Sequence, residues 1–353
     1  MALLPPLLES LEALGFVARH LHPPQFAQVL AAVGTPEAEL AAARPRLAAW
    51  PAELAGVRDI LDLAASETLA AFAELRDPEG SDLRAVFRAL RHAPRAQEAL
   101  YALADGLPPV SRYFLEPYVR DDAALLARLS NAPPRDDVGV AHLANDPGSR
   151  GGFSLYVPEY YTPETAWPLV VALHGGSGNG CGFLWSWLRD ARSHGAILIA
   201  PTALGETWAL TGPDVDTPNL ARILDMVRGR WNIDPTRLLL TGMSDGGTFS
   251  YVSGLEPDSP FTHLAPVSAA FHPMLAQMAD PRRLSGLPIH LAHGALDWMF
   301  PVQMAREARD ALAAAGADVT YVELDDLSHT YPRELNPRIL AWLDATSGPA
   351  PSP

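Results

Sequence analysis

Residues 237–247 read RLLLTGMSDGG, and this stretch decides the fold of the second half of the chain. The run of leucines at 238–240 is typical of a buried strand, and the glycine pair at its end opens a predicted helix. Ser244 lies between them in the pattern Gly-X-Ser-X-Gly. A serine at a sharp strand-to-helix turn has a strained backbone and crowded neighbours, so small residues flank it while its hydroxyl stays exposed. The pattern therefore predicts Ser244 as a nucleophile.

A second glycine-rich turn lies upstream, where residues 168–178 read PLVVALHGGSG. Glycines such as Gly175 and Gly176 let the backbone point an N–H at a substrate carbonyl oxygen, which would form half of an oxyanion hole. The stretch does not satisfy Gly-X-Gly-X-X-Gly in any register, which disfavours a dinucleotide site. Ser177 is a poor alternative nucleophile, because Asn179 replaces the final glycine of its frame.

A nucleophilic serine needs a general base, and the base needs a carboxylate that holds its tautomer. His329 lies in the loop after the last predicted strand, within DDLSHT at 325–330. Asp297 follows another predicted strand, within HGALD at 293–297. Open α/β sheets build their sites at the carboxyl ends of parallel strands. The chain order Ser244, Asp297, His329 is that of the triad associated with this serine motif.

The sequence leaves rivals for both partners of the serine. His272 and His293 compete with His329 as the base, and Asp325 and Asp326 compete as the acid. The two adjacent aspartates are interpreted as solvated turn residues. His174 is predicted to brace the glycine loop.

From residue 138 onward, short apolar runs alternate with helical stretches, which is typical of a mostly parallel sheet covered on both faces. The sequence therefore predicts an α/β fold with eight strands. These are Val138–Leu143, Phe153–Val157, Leu169–Leu173, Ala196–Ala200, Arg237–Thr241, His263–Val267, Ile289–Ala292 and Val319–Leu324. The main predicted helices are Asn219–Trp231, Pro301–Ala315 and Pro337–Leu343.

The first half of the chain has a different texture, rich in Ala, Leu, Glu and Arg. Apolar residues in 51–76 recur at three- and four-residue spacings, and Thr35-Pro36 and Ser81 are predicted helix starts. Without an alternating strand pattern, this half is predicted to be all-helical. We expect four parts: an all-helical domain at 1–130, a linker at 131–137, an α/β catalytic domain at 138–348 and a disordered tail at 349–353.

Composition excludes several function classes. The 353 residues are 48% hydrophobic, enough to bury a sizeable core. All 26 basic residues are arginine, and against 41 acidic residues they give a net charge of −15. That charge argues against a nucleic-acid or anionic-membrane partner, and the lack of lysine excludes a Schiff base. The single cysteine, Cys181, excludes an internal disulfide.

The N-terminal stretch does not look like a targeting segment. Residues 1–20 lack a basic region and carry Glu9 and Glu12 among their apolar residues, unlike a signal peptide. No run of eighteen apolar residues occurs, so no transmembrane helix is expected. We expect a cytoplasmic protein.

Four stretches together resemble the α/β-hydrolase fold over about residues 137–345. Within that fold the chain is similar to the phospholipase/carboxylesterase group and to the feruloyl-esterase and polyhydroxybutyrate-depolymerase-like group of serine esterases. The resemblance implies Ser244 as nucleophile, His329 as base and Asp297 as acid, with an oxyanion hole from the amides of Asp245 and the Gly175–Gly176 turn. The matching stretches are LVVALHGGSG (169–178), IDPTRLLLTGMSDGG (233–247), HGALDWMFPV (293–302) and SHTYPRELNPRILAWL (328–343).

This chain differs from those groups in two features. Many relatives carry Gln after the serine, and here it is Asp245, whose carboxylate would disfavour anionic substrates. The connection Ser268–Pro288 is too short for a large inserted cap, and the resemblance does not cover residues 1–130. We expect the N-terminal domain to act as a lid, or alternatively as a docking domain or a site of homo-oligomerisation.

Aromatic side chains in the loops at the strand ends are candidates for the substrate pocket, and they suit an apolar acyl or aryl group. An alternative is that they only pack the loops. The candidates are Phe183, Trp185, Trp208, His272, Trp298 and Tyr331.

The sequence as a whole predicts a serine hydrolase that cleaves small-molecule carboxylic esters through an acyl-enzyme. One alternative is an amide or peptide hydrolase with the same triad. Another is a non-catalytic binding member of the fold, which the intact triad disfavours. No metal or organic cofactor is predicted, because no Cys/His ligand spacing occurs.

Overall fold

The structure, a computed structural model, describes residues 3–77, 82–146 and 148–347. The chain forms two compact units, Met1–Ser130 and Asn131–Pro353. The predicted tail at 349–353 and the predicted helix start at Ser81 lie outside the described residues.

The first unit is all-helical over its described residues, as predicted. α1 starts with prolines in its first turn and buries Leu7, Leu11 and Leu14, whose spacing places them on one face. Its α-helices are α1 (Leu4–His20), α2 (Phe26–Val33), α3 (Glu37–Ala43), α4 (Ala55–Leu75), α5 (Leu83–Leu90), α6 (His92–Tyr101), α7 (Pro108–Tyr113) and α8 (Ala123–Ser130).

The predicted helix start at Thr35-Pro36 differs by one residue from the structure. α3 begins at Glu37 with Pro36 at the N-cap position, so Thr35 contributes only its carbonyl oxygen, which accepts from the amide of Ala38. α5 is capped by Asp82, whose carboxylate accepts from the amide of Ala85 at 2.6 Å. Cap positions are poorly fixed by sequence, because several neighbouring residues can satisfy the same amides.

The second unit is built on an eight-stranded, mostly parallel sheet with the order β1-β2-β4-β3-β5-β6-β7-β8. β2 runs antiparallel to both β1 and β4, and the remaining neighbours pair in parallel. The strands are β1 (Gly139–Leu143), β2 (Phe153–Val157), β3 (Trp167–Leu173), β4 (Ile197–Pro201), β5 (Ile233–Met243), β6 (His263–Val267), β7 (Pro288–Gly294) and β8 (Asp318–Leu324).

Helices flank this sheet, and the predicted α/β fold is confirmed. β3, β4 and β6 are buried at every residue, as expected for strands covered on both faces. The helices are α9 (Gly180–Phe183), α10 (Leu188–His194), α11 (Asp216–Arg228), α12 (Asp245–Gly254), α13 (Met274–Met278), α14 (Pro281–Leu284), α15 (Val302–Ala314) and α16 (Asn336–Thr346).

The largest boundary differences have local causes. β5 starts at Ile233, four residues before its predicted start, because Ile233 pairs with Trp167 ahead of an irregularity in the register. α11 starts at Asp216 because Oδ1 of Asp214 accepts hydrogen bonds from the amides of Asp216 and Thr217.

Candidate active site

Ser244 occupies the turn between β5 and α12 with a strained backbone, at φ 56° and ψ −121°. Non-glycine residues seldom adopt this conformation. The turn is also crowded: a Cβ on Gly246 would lie 2.5 Å from the carbonyl oxygens of Leu173 and His174. Glycine is therefore required beside the serine, as the Gly-X-Ser-X-Gly pattern predicted.

The structure brings Ser244, His329 and Asp297 together in one chain of hydrogen bonds. Nε2 of His329 lies 2.9 Å from Oγ of Ser244, and Nδ1 lies 2.8 Å from Oδ2 of Asp297. They follow β5, β8 and β7, whose carboxyl ends meet at one edge of the sheet. All three are at most 8% exposed.

Several hydrogen bonds keep the side chain of Asp297 in its ionised, carboxylate form. Its Oδ1 accepts hydrogen bonds from the amides of Met299 at 2.9 Å and Phe300 at 2.8 Å. Burial alone would raise the pKa of Asp297, but the hydrogen bonds from His329 and from the amide of Phe300 outweigh it and lower that pKa. Asp297 is thus suited to hold the Nδ1–H tautomer of His329.

The rival residues lie elsewhere or have other partners. The ring of His293 is buried, with Nε2 2.9 Å from the carbonyl oxygen of Phe300. His272 is exposed, and its Nδ1 accepts from the amide of Met274. Asp325 and Asp326 are exposed. His329 is the histidine that meets Ser244.

The glycine turn after β3 is fixed by His174. Burial lowers the pKa of His174 to about 4, so the ring is neutral at pH 7. Its Nε2 accepts from the amide of Ala203 at 3.1 Å, so Nδ1 carries the proton and donates to the carbonyl oxygen of Gly175 at 2.6 Å. The amide of Gly178 also donates to that oxygen, at 3.0 Å. His174 braces the loop, as predicted.

The directions of two amides follow from these bonds. The peptides are planar and trans, so the N–H of Gly176 points opposite to the carbonyl of Gly175, away from His174. The carbonyl of Ser244 accepts from the amide of Thr248 along α12, so the N–H of Asp245 points out of the helix N-terminus. Within the described part of the chain, no protein atom accepts a hydrogen bond from either amide.

The side chain of Asp245 lies between two loops. Its Oδ2 accepts from the hydroxyl of Thr207 at 2.5 Å. The same oxygen is 2.7 Å from the position that a Cβ on Gly176 would occupy, so a larger residue at 176 would displace it. A carboxylate thus lies beside the glycine turn.

The predicted pocket aromatics fall into two groups. Trp298 is 42% exposed with its ring 6.2 Å from that of His329, and Phe183 is half-buried against Tyr331. Trp185 and Trp208 are almost fully buried. Trp208 stacks on Phe249 in the core.

The ring of Phe300, three residues after Asp297, lies edge-on to that of His329 with the centroids 5.2 Å apart. Within residues 3–77, 82–146 and 148–347, no cluster of three or more His, Cys, Asp or Glu side chains is arranged to hold a metal ion. No helix in the same ranges is long and apolar enough to cross a membrane.

Residues 218–346 match the protein family described as Phospholipase/Carboxylesterase. This stretch includes Ser244, Asp297 and His329 and the loops that carry them. The second unit has the α/β-hydrolase fold. The predicted similarity to the phospholipase/carboxylesterase group is thereby confirmed.

Two curated proteins are also similar to this chain. A poly(3-hydroxybutyrate) depolymerase of Ralstonia pickettii is 29% identical over 120 residues, covering 28% of this chain and 24% of that protein. A bifunctional acetylxylan esterase/xylanase of Neocallimastix patriciarum is 28% identical over 157 residues, covering 42% and 22%. The chain thus spans less than a quarter of the length of either relative. Among solved structures, a thermostable esterase is 21% identical with a TM-score of 0.49, over 60% of this chain and 64% of that one.

Proposed function

We propose that the protein hydrolyses carboxylic esters through an acyl-enzyme. The observation that carries the proposal is the buried hydrogen-bond chain from Ser244 through His329 to Asp297. The match of residues 218–346 to a carboxylesterase family supports the same chemistry.

In the proposed mechanism, Oγ of Ser244 attacks the ester carbonyl carbon while Nε2 of His329 takes the hydroxyl proton. Asp297 stabilises the imidazolium that forms. When the tetrahedral intermediate collapses, His329 returns the proton to the departing alcohol, which leaves the acyl group on Ser244. A water molecule, deprotonated by His329, then attacks the acyl carbon and releases the acid.

The oxyanion hole is proposed to consist of the amides of Gly176 and Asp245. Their directions support this choice, as does the absence of a protein acceptor for them in the described residues. The carbonyl of Gly175 is turned toward His174, and this favours Gly176 over Gly175 as the donor. A negative charge developing on the substrate oxygen would be stabilised by the two N–H groups and the N-terminus of α12.

The surroundings of His329 favour an uncharged ester with an apolar acyl or aryl group. Trp298 and Met299 are 42% and 44% exposed, and Phe300 packs against the base. The carboxylate of Asp245 disfavours anionic substrates by repulsion. A polyester and an acetylated polysaccharide, the substrates implied by the names of the two relatives, are both uncharged.

The test is hydrolysis of p-nitrophenyl acetate and butyrate by the full chain, beside the matching p-nitroanilides. We expect ester turnover, its loss in Ser244→Ala, and labelling by a fluorophosphonate probe on the peptide that contains Ser244. Faster turnover of the anilides would favour the amide-hydrolase alternative. A label on another serine, or full activity in Ser244→Ala, would contradict the assignment.

A further inference from the structure

Three consecutive residues in the loop between β4 and α11 make hydrogen bonds to the two segments that carry the proposed oxyanion amides. These residues are Glu206, Thr207 and Trp208, here called the 206–208 clamp. The glycine turn after β3 and the turn at Ser244 are the segments they connect. The clamp is far from both segments in sequence, so these bonds depend on the folded sheet.

The outer members of the clamp hold the glycine turn on both sides. The carbonyl oxygen of Glu206 accepts from the amide of Ser177 at 3.1 Å. Nε1 of Trp208 donates to the carbonyl oxygen of His174 at 2.7 Å, and its ring lies 4.9 Å from the imidazole. The Gly175–Gly176 pair is therefore tethered at the residue before it and the residue after it.

The middle member reaches the nucleophile turn. The hydroxyl of Thr207 donates to Oδ2 of Asp245 at 2.5 Å, and that oxygen lies against Gly176. Asp245 follows Ser244 directly, so this bond joins the loop to the residue whose amide is the second proposed donor. The clamp thus links the two halves of the oxyanion hole across three separate loops.

We propose that Thr207 and Asp245 are positioning residues that keep the amides of Gly176 and Asp245 at the spacing the oxyanion requires. This inference rests on the proposed ester hydrolysis. Oxyanion donors act because they are fixed before charge develops, and small misplacements lose much of their effect. The side chains of Thr207 and Asp245 touch neither the substrate nor the triad bonds in this proposal, so their loss should lower kcat more than it raises KM.

The clamp offers variants that separate this role from simple packing. Thr207→Val keeps the shape of the side chain and removes the donor, whereas Thr207→Ser keeps the hydroxyl. Asp245→Ala removes the acceptor, whereas Asp245→Asn keeps an oxygen acceptor and removes the charge. Thr211→Val, in an exposed part of the same loop, is the matched control.

The experiment measures kcat and KM on p-nitrophenyl butyrate for these variants and for Thr207→Val/Asp245→Ala. We expect Thr207→Val and Asp245→Ala to lose about ten- to a hundredfold in kcat with KM within about threefold. Thr207→Ser and Asp245→Asn should recover most of that loss. The double variant should be no worse than the poorer single variant, because both remove one bond.

Three results would overturn the proposal. They are full kcat in Thr207→Val, equal losses in Thr207→Val and Thr211→Val, and strictly additive losses in the double variant. If Asp245→Asn is as impaired as Asp245→Ala while Thr207→Val is fully active, the charge of Asp245 matters and the clamp does not. The proposed ester hydrolysis is tested separately, by wild-type turnover and by Ser244→Ala.

Discussion

The imidazole of His293 contacts the same carboxylate oxygen that accepts the hydrogen bond of His329. Its Nε2 lies 3.4 Å from Oδ2 of Asp297, and the two side chains are 1% and 0% exposed. Burial lowers the pKa of His293, so this second ring is neutral at pH 7 and adds no charge beside the carboxylate. Asp297 is thus surrounded by donors and buried, which suits the acid of a triad.

Asp297→Asn should lower kcat by about 10³- to 10⁴-fold, because an amide can present its NH₂ to Nδ1 of His329 and favour the wrong tautomer. The measurement is ester turnover beside Asp325→Asn, which alters an exposed carboxylate in the loop before His329. A large loss of turnover in Asp325→Asn with none in Asp297→Asn would instead assign the role of the acid to the loop after β8.

Because the backbone of Ser244 is strained, we expect the folded protein to become more stable when this side chain is removed completely. Ser244→Gly relieves the strain at φ 56°, whereas Ser244→Ala keeps the Cβ. We expect Ser244→Gly to unfold with a free energy about 1 kcal/mol higher than Ser244→Ala, both being inactive. Urea denaturation of the two variants checks this. Equal midpoints would mean that the turn is not strained.

Because His174 is buried and neutral, we expect the free energy of unfolding to depend on pH. The folded protein keeps His174 neutral down to about pH 4, whereas an unfolded histidine takes up a proton near pH 6.5. Between these values the unfolded chain binds more protons, so the free energy of unfolding should fall as the pH falls, by up to about 3 kcal/mol from this residue.

Urea denaturation at pH 7, 6, 5 and 4.5 measures this slope. His174→Gln should show a shallower slope than the wild type, and the same exchange at the exposed His272 is the matched control. Burial also lowers the pKa of His263 to about 4, so part of the slope should remain in His174→Gln. An unchanged slope in His174→Gln would contradict the assignment.

We expect the effect of replacing Trp298 on ester turnover to depend on the length of the acyl chain. If its exposed ring lines the mouth beside His329, Trp298→Ala should lower kcat/KM about tenfold for p-nitrophenyl butyrate and hexanoate and less for acetate, because acetate offers little apolar area. A length series compares the variant with Met226→Ala, an exposed apolar residue on α11. An equal loss of kcat/KM on every ester would show that Trp298 does not line the acyl pocket.

We propose the first unit as a lid, and a shortened chain tests it. A chain that starts at Asn131 keeps Arg135, whose guanidinium donates to the carbonyl of Tyr161 inside the second unit. If residues 1–130 restrict access, the shortened chain should turn over bulky esters faster than the full chain and small ones equally. Identical activity on every ester would leave docking or oligomerisation as the role, which the mass in solution would test.

The motifs that the sequence made visible are local. Ser244, Asp297 and His329 could be located because each closely follows a strand that its own apolar run predicts. The 206–208 clamp could not, because the bond from Thr207 to Asp245 joins residues 38 positions apart in a loop without a motif. It exists only once β4 and β5 lie on either side of β3.

The direction of side chains in loops was equally beyond the sequence. Trp208 and Trp298 have the same chemistry and both follow strands, yet one is 3% exposed and the other 42%. A loop residue has no periodicity from which its face could be inferred. The distinction depends on what packs against each ring, which for Trp208 is His174 and Phe249.

β8, the strand that leads to His329, is the last in the sheet order, and among the described residues it pairs with β7 alone. Edge strands open more easily than central ones, and local opening there would separate the imidazole from Ser244 while the rest of the sheet stayed intact. The rate of turnover would then depend on the local stability of this edge of the sheet. Under mild heating or low urea, inactivation should precede the loss of helical circular dichroism, and amide hydrogens of β8 should exchange before those of β5.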